Sequence, residues 1–153
     1  MSDEWIPSPD ATDENSLQAF IGRQAILDTR LGIYGYELLF RSSLDNVFNQ
    51  SDGDIATSKV ISNGFFNLGF SNITQGKKAS INFTRNILVG DYACLLPRDL
   101  LIVEILETVE PDAEVISAVR NLKENGYIVA LDDYKGDDLQ NPLIELADII
   151  KVD

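Results

Sequence analysis

Several short segments of this sequence place a charged or amide side chain within a run that is otherwise apolar. In IYGYELLFR, strand alternation puts Gly35, Glu37, Leu39 and Arg41 on one face, so a carboxylate and a guanidinium share one side of an apolar strand. Asn82 sits between Ile81 and Phe83, Glu104 interrupts LLIVEIL, Asp132 and Asp133 close YIVALDD, and Lys151 interrupts DIIKVD. Burying an unpaired charge is costly, and such residues are rarely buried unless paired or metal-bound. Carboxylates and an amide oxygen converging at the C-terminal ends of parallel strands would suit one or two divalent cations. Those ions lower the pKa of a water and neutralise phosphoryl charge.

Each residue alone has a plainer reading. Glu37 and Arg41 could be a simple ion pair, the Asp132–Asp133 pair a solvated turn, and Lys151 a snorkelling side chain, while Asn82 alone is weak evidence. Glu107, Glu110, Asp112 and Glu114 read as a solvated cluster favouring a helix N-terminus, without a catalytic role. The set as a whole carries the argument.

Composition narrows the chemistry. The chain has no histidine and a single cysteine, which removes Ser-His and Cys-His pairs, His-containing zinc sites and internal disulfides. Any metal must be held by hard oxygen donors, which favours Mg²⁺, Mn²⁺ or Ca²⁺. A net charge of −13 argues against binding nucleic-acid polymers or anionic membrane surfaces. No stretch approaches the ~20 apolar residues of a membrane span, and the acidic N-terminus lacks a signal's basic region, so a cytoplasmic location is expected. Cys94 reads as a small buried hydrophobe.

The elements that must position these residues are read from periodicity. Residues 1–18 are polar and without apolar period, the pattern of a flexible acidic tail, and 19–153 form the folded domain. FIGRQAILD and IYGYELLFR, joined by a turn at Thr29–Gly32, predict an antiparallel pair. IATSKVISNGFFNLGF has helical spacing, KASINFT reads as a strand, RNILVGDYACLL as helix or loop, and LLIVEIL as a buried strand. PDAEVISAVRNLKENG predicts a helix with Pro111 in its first turn, a stripe of Val115, Ile116, Val119 and Leu122, and Gly126 at its C-terminal cap. YIVALDD, a short helix around PLIELA, and a buried strand over Asp148–Asp153 complete the series. A hairpin followed by strand-helix-strand units implies an α/β fold with a mostly parallel sheet, doubly wound or closed into a barrel. A chain stopping on a buried strand suggests a fragment.

The segments RQAIL, YELLFR, SINFT, VEILETVE, VALDDY and IIKVD, in this order, resemble the motifs of bacterial EAL-domain cyclic di-GMP phosphodiesterases over about Phe20 to Asp153. The form YELLFR and the ending PLIELADIIKVD resemble the subgroup in which an EAL-like domain precedes an HDOD domain. The resemblance implies a (β/α)8 TIM-like barrel with an antiparallel first strand, of which about six of eight strands are present. It implies metal ligation by Glu37, Asn82, Glu104, Asp132 and Asp133, catalytic roles for Lys151, Glu37 and Asp133, and contacts from Gln24, Leu39 and Arg41 to cyclic di-GMP. The implied cofactor is a pair of Mg²⁺ or Mn²⁺ ions.

The chain departs from that pattern in the loop after the Asp pair, where YKGDDLQNP lacks the family's Gly-Thr-Gly core, and in Ala25, which replaces a proline. The loop couples dimerisation to metal binding in active members, and the last two strands, with a further glutamate and glutamine of the site, are absent. The expected function is therefore a ligand-binding or scaffold module that regulates an HDOD output domain, with hydrolysis of cyclic di-GMP to the linear dinucleotide as the alternative. The isolated chain is expected to be inactive, and its open sheet edges to favour a homo-oligomer or swapped dimer.

Overall fold

The computed structural model describes residues 20–41, 70–134 and 141–152. The expected tail, most of the expected helix in IATSKVISNGFFNLGF and the centre of YKGDDLQNP lie outside the described residues.

Strands β1 (Phe20–Leu27) and β2 (Ile33–Arg41) pair antiparallel, as their short connection requires. Asp28 organises the reversal: its Oδ1 accepts from the Arg30 and Gly32 amides at 2.8 and 2.9 Å. Helix α1 (Phe70–Thr74) leads to β3 (Lys78–Phe83), and α2 (Arg85–Val89) with a 3₁₀ turn (Tyr92–Leu95) leads to β4 (Leu101–Ile105). Helix α3 (Ala113–Glu124) returns the chain to β5 (Ile128–Leu131), and β6 (Ile149–Ile150) closes the order. The six strands lie in sequence order, and every pair from β2 to β6 is parallel.

Alternation divides this sheet into two chemically different faces. Ala79, Ile81, Phe83, Leu101, Val103, Ile105, Val129 and Leu131 join one apolar core with Ile87 and Leu88 of α2 and Val115, Val119 and Leu122 of α3. The intervening residues, among them Ser80, Asn82, Ile102, Glu104 and Ala130, belong to the opposite face. That face is concave. Lys151, just past β6, contacts Glu37 of β2, and the two strands are four places apart in the sheet. In a flat sheet they would be separated by ~19 Å at ~4.8 Å per strand. The sheet therefore curls into a half-barrel, an incomplete (β/α)8 barrel whose first strand is antiparallel.

Helix α3 is set by its ends as much as by its stripe. Asp112 is the N-cap, its Oδ1 accepting from the Glu114 and Val115 amides, both at 2.9 Å. Pro111 consequently precedes the cap and does not lie in the first turn, a correction to the sequence expectation. At the other end Gly126 adopts φ 81° and donates to the Lys123 carbonyl, while Tyr127 donates to that of Leu122. This is a Schellman ending, which requires the left-handed residue that glycine supplies.

Three further expectations are corrected. Around PLIELA the chain forms hydrogen-bonded turns from Asn141, with Ile144 and Leu146 donating to the carbonyls of Asn141 and Leu143, and no helix; the segment is too short to recover the cost of helix nucleation. The last strand is Ile149–Ile150 and not Asp148–Asp153, and Ile150 is 41% exposed because among the described residues β6 pairs on one side only. Cys94 is exposed on the 3₁₀ turn, its thiol donating to the Asp91 carbonyl.

Candidate functional site

The strands deliver their polar residues to one end of the concave face by register. Glu37 on β2 lies opposite Ser80 on β3, and Asn82, two residues further along β3, lies opposite Glu104 on β4. Glu104 is in turn opposite Ala130 on β5, so Asp132 follows one step beyond on the same side. The Asp132 amide donates to the Ile105 carbonyl at 3.0 Å, and the Lys151 amide to that of Leu131 at 2.9 Å, which fixes where both side chains leave the backbone.

Lys151 is the hub. Its ammonium pairs with Glu37 Oε2 at 2.8 Å, with Asp132 Oδ1 at 2.8 Å, and with Glu104 Oε1. Glu104 is fully buried, and its second oxygen, Oε2, accepts from the Ser80 hydroxyl at 2.5 Å. Burial pushes the Glu104 carboxyl well above its ordinary range, opposed by Lys151 and Ser80. Burial also works against the Lys151 charge, but the bonds from Asp132, Glu104 and Glu37 prevail and hold its pKa above the usual lysine value. In this arrangement the Lys151 ammonium donates to all three carboxylates.

A second trio adjoins the first and shares Asp132. Glu107, Asp132 and Asp133 each offer a carboxylate oxygen, all within 4.8 Å of one another. Asp133 holds φ 44°, a left-handed conformation that aspartate tolerates better than most residues. Glu107 is the residue that sequence reading set aside as helix-favouring. The signal was its place three residues after Glu104, in the loop that follows a parallel strand, where such barrels build their sites.

The other candidates are arranged around this centre. Gln24 on β1 lies opposite Glu37 and is exposed, Leu39 is half-buried, and Arg41 ends β2 opposite Phe20, its side chain outside the description. The structure thus brings Glu37, Asn82, Glu104, Asp132 and Lys151 to one cleft, with Asp133 and Glu107 at its rim. Glu37 uses its carboxylate on Lys151.

The donor chemistry fits divalent cations. All the candidate ligands are oxygens, three carboxylates gather about one ammonium, and in the trio of Glu107, Asp132 and Asp133 separations within 4.8 Å match oxygens on opposite sides of an ion at ~2.0–2.6 Å from each. The trio that could hold such an ion is Glu107, Asp132 and Asp133, beside the Glu37, Asn82 and Glu104 of the expected ligand set. Among the described residues no helix is long and apolar enough to cross a membrane.

Comparison with known proteins gives a consistent picture. No family model matches the chain. It is 34% identical over 142 residues to the uncharacterised protein YuxH of Bacillus subtilis (strain 168), covering 90% of this chain and 35% of that protein. It is 32% identical over 152 residues to the cyclic di-GMP phosphodiesterase CdgJ of Vibrio cholerae serotype O1, covering 97% of this chain and 35% of that one. The chain spans about a third of the length of these curated relatives. Among solved structures it is similar to the EAL enzyme Bd1971 in its cAMP-bound form, with a TM-score of 0.56 and 21% identity over 88% of this chain and 46% of that one. That likeness supports the half-barrel.

Proposed function

This chain belongs to the EAL-domain family, and from that premise we propose that it is the cyclic di-GMP-binding part of a regulatory domain, which in its parent protein controls an attached HDOD-type output domain. The observation that supports a retained ligand cleft is the meeting of Lys151 with Glu37, Glu104 and Asp132. A mere remnant of a barrel gains nothing by keeping a fully buried glutamate on a lysine, since apolar residues of similar volume are as stable or more so. The departure of YKGDDLQNP from the family's loop favours binding over turnover.

In this reading Arg41 holds a phosphate of the dinucleotide, and Gln24 and Leu39 contact the ligand from the hairpin. Mg²⁺ or Mn²⁺ held by Glu37, Asn82, Glu104, Asp132 and Asp133 would neutralise phosphoryl charge and acidify a water. Lys151, protonated, donates to oxygens of the phosphodiester or of the attacking water, and Glu37 and Asp133 complete the catalytic set in any version that hydrolyses. Hydrolysis to the linear dinucleotide is the second reading, favoured by the two carboxylate trios sharing Asp132. The open edges at β1 and β6 support self-association of the chain, which sedimentation tests.

The deciding experiment is calorimetric titration of cyclic di-GMP into the full-length parent in Ca²⁺, beside Arg41→Ala, followed by product analysis in Mn²⁺. Binding lost in R41A without product establishes the regulatory module; product formation establishes the enzyme. No binding refutes both.

A further inference from the structure

We infer that Ser80 is a positioning residue of this site: its hydroxyl pins one oxygen of Glu104 inside the barrel wall, so that a single carboxylate oxygen faces the cleft. The inference rests on the metal-site reading above and assigns a role to the residue that opens SINFT, to which the resemblance gives none.

Ser80 is fully buried on β3, between Ala79 and Ile81 and opposite Glu37 and Ile102. Glu104 lies one alternation further along β4, opposite Asn82, so the Ser80–Glu104 bond at 2.5 Å runs diagonally back into the wall. Apolar residues fill the neighbouring wall, and a hydroxyl there costs ~1–3 kcal/mol unless it is bonded. Alanine would satisfy packing at that position.

The hydroxyl does something alanine cannot. A terminal carboxylate torsion is broad, so an unrestrained Glu104 could turn both oxygens toward the cleft. With Oε2 held by Ser80, only Oε1 reaches the Lys151 ammonium and, when a metal is bound, the ion. Ser80 thereby gives Glu104 one orientation and offers a single oxygen where a loose carboxylate would offer two. Outer hydrogen-bond partners of this kind typically change metal affinity by ~10–100-fold when removed. A serine present only to satisfy itself would affect stability alone.

The test is Mn²⁺ binding to the 153-residue chain, by calorimetry and by the loss of the free-ion paramagnetic resonance signal, in wild type, Ser80→Ala, Ser80→Thr and Val119→Ala. Val119 is buried on the core-facing side of α3, away from the cleft, so V119A lowers the melting temperature while leaving Mn²⁺ affinity unchanged. We expect S80A to weaken Mn²⁺ binding by ~10–100-fold and S80T, which keeps the hydroxyl, to restore it. Wild-type affinity in S80A overturns the inference, as does equal weakness in S80A and S80T, because the hydroxyl would then not be the cause. Failure of the wild type to bind Mn²⁺ overturns the metal-site reading, and the role of Ser80 with it.

Discussion

Lys151 and Glu37 meet at 2.8 Å although they stand 114 residues apart and on strands four places removed in the sheet. The contact joins the beginning of the described fold to its end. It requires the sheet to curl, and it brings the Lys151 ammonium into a nest of acids.

Removing that cation should be costly. Lys151→Met takes the ammonium away from the fully buried Glu104, and removing one partner of a buried ion pair typically destabilises by ~3–5 kcal/mol. Urea denaturation of K151M should register a loss of that order, and added Mg²⁺ or Mn²⁺ should recover part of it by supplying the missing charge. An unchanged midpoint would mean that the ammonium is not what compensates Glu104.

Acid sensitivity is expected from a different pair. Burial tends to raise the Asp148 carboxyl, but its bonds from Lys123 and from the Val129 amide prevail and hold it below the usual 3.8. A group depressed in the folded state stabilises above its unfolded value, and that stability is lost as pH falls through 3.8 toward the folded value. Asp148→Asn should therefore be less stable than wild type at neutral pH and show a shallower decline below pH ~4. Melting curves across pH 2 to 7 give the comparison, and identical slopes would discount the pair.

Gly35 faces a tight approach between β2 and β3. A Cβ added there would lie 2.9 Å from the Lys78 backbone carbonyl, its partner in the register. Gly35→Ala should force the strands apart and cost ~1–3 kcal/mol, as overpacking does. Because Glu37 is two residues along the same strand, the substitution should also weaken Mn²⁺ binding. Thermal denaturation beside calorimetry separates the two effects, and a neutral substitution would show that β2 can yield.

Much of this architecture was legible from residue order, for reasons that differ by element. In β4 and α3 the apolar period is long enough to declare both element and buried face: Leu101–Ile105 is wholly buried, and Val115, Val119 and Leu122 line α3 as their spacing requires. PLIELA and IIKVD are too short for a period, and their structure is decided by what lies beside them. A lone apolar run cannot reveal that its strand is an edge. Glu104 and Lys151 stood out because charge in an apolar run is conspicuous, whereas Ser80 did not, since serine beside alanine in a strand breaks no pattern. Glu107 did not stand out because the nearby acidic residues do serve a helix start: Asp112 caps α3 and, with Glu114, pairs with Arg85.

The position of Lys151 has a consequence for how the chain comes into being. During synthesis Glu37, Glu104 and Asp132 all leave the ribosome before the lysine that neutralises them, so the nascent sheet carries mutually repelling acids along its inner wall. Lys151 is thus the last of these four residues to be made, and its contact with Glu37 ties the end of β6 to β2, the first strand of the parallel series.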